Sequence, residues 1–193
     1  MARPRTFDQD QVLDIAIDVF RQKGYEGAST DDLVTAMGIG RQSLYGAFGD
    51  KRSLYLAALQ RYNERSVGEI IEAGRRAPTP GQAIEAALLH FADHHAKPGT
   101  AACLGVHSIC EFGTSDGEVE RINRTSGRQL ERFFERSIAD AQVANEMAAT
   151  LDPKAAAGFL ASTLVGMKVA ARGGATPKAL RSIAGFALRG LRR

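Results

Sequence analysis

The sequence predicts an all-α protein, and three observations support this fold class. Apolar residues recur at helical spacing along most of the chain, good helix caps precede the periodic segments, and no segment alternates between apolar and polar residues over the length of a strand. With 193 residues, 44% of them hydrophobic, the chain is long enough to bury a sizeable core. We expect about nine helices, in a small domain over residues 1–50 and a larger one over residues 51–193.

The first two helices carry clear start and stop signals. Apolar residues at helical spacing from Val12 to Phe20 predict a helix over residues 6–23, which Gly24 ends. Ser29 and Thr30 are both good N-cap residues for the second helix, and its first turn contains two aspartates that suit the positive end of the helix dipole. Gly38 can adopt the left-handed conformation that ends this helix.

The third helix has a buried edge and a polar side. Leu44 and Phe48 are four residues apart, so they lie on one side of the helix and predict its buried edge. The polar side chains that point elsewhere can contact base edges and phosphates: Arg41, Gln42, Ser43 and Tyr45. Together with the preceding helix and the tight turn, this pattern predicts a DNA-binding helix-turn-helix.

These residues resemble the tetracycline-repressor (TetR) family of bacterial transcriptional regulators. The resemblance covers about residues 6–66, and the rest of the chain only in length and helical character. The matching positions are Ala16, Val19, Phe20, Gly24, Tyr25, Ala28, Ser29, Thr30, Leu33, Ala36, Met37, Gly38, Ile39, Ser43, Leu44, Tyr45, Phe48, Gly49, Asp50 and Lys51. Two departures are Gly40, where a Ser or Thr cap is frequent, and Gly46-Ala47, where an aromatic or histidine pair is usual.

The resemblance implies a role for each polar residue. Thr30 and Lys51 would contact phosphates at two helix starts, and Tyr45 would pack on the DNA backbone, with Gly46 beside it. The residues that would face the major groove are Arg41, Gln42 and Ser43.

The net positive charge of the chain points to an anionic partner, but it does not show which part of the chain binds that partner. The net charge is +3, yet residues 1–52 contain seven basic and eight acidic side chains, so DNA affinity must come from where the bases lie. Arg3 and Arg5 flank Pro4 and could form an arm that enters a minor groove, or an ordinary solvated terminus. We also expect Arg52 to face DNA.

Six further helices are expected after Asp50. The fourth runs from the Asp50 cap to about Gly74. The others are signalled by Thr79-Pro80, Thr100, residues 113–117, Asp152-Pro153 and Thr176-Pro177, with the fifth ending near His95 and the sixth near Phe112.

The last two helices are expected to form a homodimer interface. Helix eight is rich in alanine and glycine, which lets helices approach closely, and the larger anchors are Phe159, Leu160, Leu164 and Phe186. The alternative is that these residues pack within the subunit, as some of them must. A two-fold dimer would place two recognition helices about 34–36 Å apart, or a multiple of that distance, over a palindrome.

By resemblance, the larger domain would also hold a pocket for a small-molecule effector of unknown identity, among helices five to eight. Occupancy of the pocket would change the spacing of the two DNA-binding domains and release the DNA. The candidate lining residues are Phe91, Leu104, His107, Ile109, Phe112, Phe133, Phe134 and Met167, although plain core is the favoured interpretation for each one taken singly.

One cluster could carry chemistry. Cys103, His107 and Cys110 follow at i, i+4 and i+7, which predicts one helix face, with His90 and His94 as a second pair. Seven helical residues separate two backbones by about 10.5 Å, too far for a disulfide. We assign no metal site and keep Cys103 as a possible redox sensor, with simple helix packing the favoured interpretation.

The sequence offers no sign of an enzyme. It contains no glycine-rich phosphate loop, nucleophile elbow or HExxH motif, and we expect no cofactor. The longest uncharged segment of the C-terminal region, residues 155–167, is too short to span a bilayer, and no secretion signal is present, so a cytoplasmic protein without a membrane partner is expected. The predicted function is a DNA-binding transcriptional regulator, a ligand-responsive repressor. The alternative is a ligand-binding or thiol- or metal-sensing helical dimer with weakened DNA recognition.

Overall fold

The computed structural model describes residues 7–94 and 103–192, and this part of the chain folds into nine α-helices without strands. The all-α prediction is therefore confirmed. The helices are α1 Gln9–Gly27, α2 Thr30–Met37, α3 Arg41–Phe48, α4 Lys51–Arg75, α5 Pro80–His94, α6 Leu104–Phe112, α7 Gly117–Val143, α8 Pro153–Arg172 and α9 Pro177–Arg189.

The helix-turn-helix forms where local signals predict it. Ser29 and Asp32 make a reciprocal capping box at the start of α2, and Gly38 ends α2 in the left-handed conformation with φ 65°. Helix α1 differs slightly from the prediction. Gly24 breaks the helix with φ 75° and ψ −176°, but a short helical turn resumes and continues to Gly27.

The DNA-binding domain is packed against the larger domain. Its core includes Phe20, Leu33 and Leu44, which pack in one apolar cluster with Tyr55 of α4, and all four are fully or almost fully buried. The same apolar cluster contains three residues of α6 and α7: Leu104, Val119 and Ile122. Helix α6 is therefore in direct apolar contact with the core that the first four helices form.

A second core holds the larger domain together. It is built from α4, α5, α7, α8 and α9, with Ile70, Leu88, Phe134, Leu160 and Leu180 among its fully buried side chains. Asp152 and Thr176 cap α8 and α9, each followed by a proline in the first turn, as the sequence predicts.

Helix α6 begins later than expected. The predicted start at Thr100 and the expected end of helix five near His95 lie outside the described residues. Within them, α6 begins at Leu104, and Cys103 is its N-cap with extended backbone angles (φ −99°, ψ 115°). Cys103 is therefore not part of a helical i, i+4, i+7 face with His107 and Cys110, and that prediction is wrong.

Helices α8 and α9 leave an apolar surface uncovered. Phe159, Val169 and Phe186 are 51%, 53% and 73% exposed, whereas Leu160 and Leu164 point into the subunit core. Of the four predicted interface anchors, only the two phenylalanines are free to contact another molecule. In the described part of the chain, no helix has both the length and the apolar content that crossing a bilayer requires.

Candidate nucleic-acid interface

Helix α3 is held by one buried side chain and presents its polar side outward. Leu44 is fully buried in the core of the DNA-binding domain, and this anchor fixes the rotation of the helix. The side chains that point to solvent are Arg41, Gln42 and Tyr45, with Ser43 half-buried and Gly46 exposed. The geometry thus matches a recognition helix with its base-reading side uncovered.

Arg41 is held by an acid of the preceding helix. Its Nη2 lies 2.6 Å from Oδ1 of Asp31, and both side chains are largely exposed. The hydrogen bond from Arg41 to Asp31 raises the pKa of the guanidinium. Because exposed pairs of this kind contribute little to stability, Arg41 can exchange Asp31 for a base edge or keep it as a support that orients the guanidinium.

Two further predicted phosphate contacts lie at helix N-termini. Thr30 is the first residue of α2, beside the capping box, and is half-buried. Lys51 is the first residue of α4, and its Nζ lies 4.4 Å from the centroid of the Tyr25 ring. This cation–π contact holds the lysine at the helix end without neutralising its charge, which leaves it available to a phosphate.

Arg52, which could also face DNA, is paired with two acids at the start of α7. Its Nη2 lies 3.1 Å from Asp116 and 2.9 Å from Glu118, and these contacts tie the start of α4 to the start of α7. The hydrogen bonds from Arg52 hold the pKa of Asp116 at about 2. Sequence reasoning missed this pairing because 64 residues separate the two partners.

Most acids of the DNA-binding domain are already paired or used as caps. Asp10 and Asp14 of α1 both bind Arg61 of α4, at 2.6 and 2.8 Å. Asp32 lies 2.6 Å from Lys23, and hydrogen bonds from Lys23 and Ser29 hold its pKa at about 2. These pairs reduce the repulsion between DNA and the acids of residues 1–52, which outnumber the bases there by one. Arg3 and Arg5 of the predicted arm lie outside the described residues.

Helix α6 is hydrogen-bonded to the end of α1. The Glu111 carboxylate accepts from the backbone amides of Tyr25 at 3.0 Å and Glu26 at 2.8 Å, and so caps the short turn that follows the break at Gly24. Gly24 is needed here, because a Cβ would lie 2.7 Å from Cε1 of His107. Phe112 joins the same contact, with its ring centroid 5.7 Å from that of Tyr25.

A cavity of about 330 Å³ lies between α4, α6, α7 and α8, and we call it the α6 cavity. Its walls include Val67 of α4, Val106 of α6, Leu130 of α7 and Val165 of α8. Polar side chains also reach it: Asn63, Ser66, Asn123, Ser126, Glu131, Ser162 and Lys168. This volume is at the lower end of the range for small-molecule pockets, about 300–1,000 Å³.

Of the predicted pocket residues, only Ile109 lines the α6 cavity. His107 lies against Gly24, and Phe112 packs on tyrosines of the DNA-binding domain. Phe133 fills the space beside Gly74. The remaining four are fully or almost fully buried in the two cores: Phe91, Leu104, Phe134 and Met167. Their helical spacing marks core positions, and the residues that line the α6 cavity are smaller and more polar.

The two cysteines occupy different environments. Cys103 is buried and lines the α6 cavity, whereas Cys110 is exposed. Burial, with hydrogen-bonding contact to Cys103, raises the pKa of the Tyr62 hydroxyl. No three His, Cys, Asp or Glu side chains among the described residues gather closely enough to hold a metal ion, and the side chain of His94 is not among those described.

Known proteins match both parts of the chain. Residues 12–58 match the family model for bacterial regulatory proteins of the tetR family, and residues 81–185 match the model for the tetracyclin repressor-like C-terminal domain. The HTH-type transcriptional repressor ComR of Escherichia coli K12 is 31% identical, over 97% of this chain and 90% of ComR. The uncharacterized HTH-type regulator YezE of Bacillus subtilis 168 is 34% identical over 76% of each chain.

A solved structure has the same fold over nearly the whole chain. It is a cysteine mutant of the TetR family regulator CifR complexed with 26-bp double-strand operator DNA. It superimposes with a TM-score of 0.86 at 28% identity, covering 98% of this chain and 100% of CifR. With both family models, a relative above 30% identity and the exposed polar side of α3 in agreement, the chain belongs to the TetR family and is a DNA-binding transcriptional regulator rather than an enzyme.

Proposed function

We propose that the protein is a ligand-responsive repressor that binds a palindromic operator as a homodimer. The single observation that carries the proposal is the uncovered polar side of α3 above a buried Leu44, in a fold that CifR uses on operator DNA. Repression is favoured because ComR, similar over 97% of this chain, is named a repressor. The protein works in the cytoplasm, where the chromosome lies, and needs neither cofactor nor metal.

The residues of the interface divide into base readers and phosphate contacts. Base edges are read by Arg41, Gln42 and Ser43, while the phosphates are contacted by Thr30, Tyr45 and Lys51, with Arg3 and Arg5 in the adjacent minor groove. Gly46 gives the DNA backbone room to approach, because a Cβ there would find nothing of the protein within 4 Å.

The dimer forms through α8 and α9. Their exposed apolar side chains include Phe159, Val165, Val169, Ile183 and Phe186, and burial of such a surface against a second copy is favourable. The contact is isologous, since a two-fold axis places the same surface of each subunit against the other. The axis then sets two copies of α3 over the two halves of the palindrome.

The α6 cavity is the effector site, and α6 is the link to DNA. Val106 and Ile109 face the cavity, while Glu111 of the same helix caps the end of α1. A ligand that prefers a shifted α6 therefore also changes the position of the DNA-binding domain. Its effect on DNA affinity can be no larger than its differential affinity for the two arrangements.

Selection of DNA from a random double-stranded library by the purified protein tests this function. The expected result is enrichment of a palindrome whose half-sites lie one helical turn, or a multiple of it, apart. Recovery of sequences without symmetry, or no enrichment at all, would contradict the proposal.

A second candidate is control through the thiol of Cys103, and its support is that Cys103 lines the α6 cavity. An electrophile that enters the cavity would form an adduct at the start of α6 and displace that helix. N-ethylmaleimide should then release the operator from wild type and from Cys110→Ser, but not from Cys103→Ser. If N-ethylmaleimide released the operator from Cys103→Ser as it does from wild type, this route would be excluded.

A further inference from the structure

The α6 cavity has side chains that select the chemistry of its ligand, and this inference rests on the proposed effector site. Apolar groups from α4, α6, α7 and α8 make up much of its wall, so the body of the ligand must be largely apolar. The volume of about 330 Å³ limits the ligand to a small organic molecule. The polar groups within this wall then determine its head group.

Lys168 brings a positive charge to the cavity. Its Nζ lies 6.0 Å from the ring centroid of Phe91, which is only 1% exposed, so the ammonium reaches toward the protein interior. Among the described residues, which include every Asp and Glu side chain, none forms an ion pair with Lys168 within 4.0 Å. An anion in the cavity would therefore give this ammonium the counter-ion and charge-assisted hydrogen bond that it lacks.

Ser66 adds an unused hydrogen-bond donor. It is 6% exposed, and its Oγ has no hydrogen-bond partner among the described residues. The neighbouring polar groups are occupied with one another: Asn63 Nδ2 donates to Asn123 at 2.9 Å, and Asn123 Nδ2 donates to Ser108 at 2.9 Å. Because a buried hydroxyl without a partner is destabilising, Ser66 is suited to donate to a ligand oxygen.

We propose that the α6 cavity binds a small monocarboxylate with an apolar body. The carboxylate accepts hydrogen bonds from Lys168 and Ser66, and the body packs against Val67 and Leu130. Glu131 lines the same cavity from an exposed position, and its like charge disfavours a second carboxylate on the ligand. The effector class is therefore aromatic or aliphatic monocarboxylic acids.

Thermal shift and calorimetric titration with matched probes test the ligand class. The probes are benzoate and octanoate, their uncharged amides benzamide and octanamide, and the amines benzylamine and octylamine. At least one carboxylate should bind and raise the melting temperature at millimolar concentration, while the amides and amines should not. Failure of both carboxylates to bind, or equal binding of an amide or amine, would overturn the proposal.

Variants locate the site. Lys168→Gln should weaken carboxylate binding about tenfold or more, whereas Lys154→Gln, at an exposed position in the first turn of the same helix, should not change it. Ser66→Ala should weaken binding several-fold while leaving the unliganded protein as stable as wild type or more so, because it removes an unsatisfied buried hydroxyl. Equal affinity in Lys168→Gln and wild type would contradict the assignment.

Operator binding measured without ligand separates this inference from the proposed function. A protein that binds a palindrome but no monocarboxylate disproves the ligand class and leaves the DNA function standing. A protein that binds the carboxylate through Lys168 but never enriches a DNA site supports the cavity assignment and disproves the operator function.

Discussion

Glu111→Ala should weaken the attachment of the DNA-binding domain to α6. The variant removes two hydrogen bonds that a carboxylate accepts from the backbone amides of Tyr25 and Glu26, at 3.0 and 2.8 Å. Hydrogen bonds to charged groups contribute roughly 1.5–3 kcal/mol each when buried, and the partial exposure here reduces the pair to about 2 kcal/mol. For a chain of this length that loss lowers the melting temperature by about 4–8 °C.

The same variant should uncouple the effector from the operator. With the link to α1 removed, a cavity ligand should still bind but release less DNA than it does from wild type. Thermal denaturation and operator titration with and without ligand measure both effects. The control is Glu69→Ala, because Glu69 forms only an exposed i, i+4 ion pair with Arg65, which contributes little to stability. A melting temperature within a degree of wild type, together with undiminished release, would refute this role of Glu111.

Three other perturbations have defined outcomes. Gly24→Ala forces a side chain at φ 75° with its Cβ 2.7 Å from a histidine of α6, so it should cost about 1–3 kcal/mol in denaturant unfolding. The control Gly27→Ala should not destabilise, because its Cβ would meet only the Cβ of Lys23, at an ordinary contact distance of 3.7 Å. The Arg52 pair stabilises the folded state above the ordinary Asp pKa of 3.8, and this contribution disappears as the pH falls toward 2. Arg52→Gln should therefore lose stability at pH 5 but little near pH 2, in urea titrations. Phe186→Asp should give a folded monomer in light scattering, and a dimer would contradict the α8–α9 interface.

The helix-turn-helix could be predicted from sequence because its signals are local. Ser29 caps α2, Gly38 ends it and Asp50 caps α4, and each of these contacts joins residues only a few positions apart. Leu44 and Phe48 gave the buried edge of α3, because helical spacing alone decides which residues share a side. The orientation of the polar side of α3 followed from these few residues.

The cavity could not be predicted, because its polar residues come from distant parts of the chain. Asn63 and Asn123 are hydrogen-bonded across 60 residues, and Lys168 enters from α8. The large aromatic residues chosen from the sequence instead filled the cores, as Phe91 and Phe134 show. Small and polar side chains at helical positions give no sequence signal until tertiary packing brings them together.

The start of α6 shows a different limit. The start predicted at Thr100 placed Cys103 inside a helix, but it is the N-cap, with extended backbone angles and no capping hydrogen bond from its side chain. Cysteine is not a favoured cap, so the local signal that defined α2 and α4 is missing at this position.

The central claim is that Arg41 on the exposed side of α3 reads base edges while Lys51 binds only phosphate. The most direct measurement is the ratio of affinities for the selected palindrome and for scrambled DNA of the same length, at fixed salt. Arg41→Ala should lower that ratio about tenfold or more, whereas Lys51→Ala should weaken both DNAs alike and reduce the salt slope by about one unit. An unchanged ratio in Arg41→Ala would contradict the account.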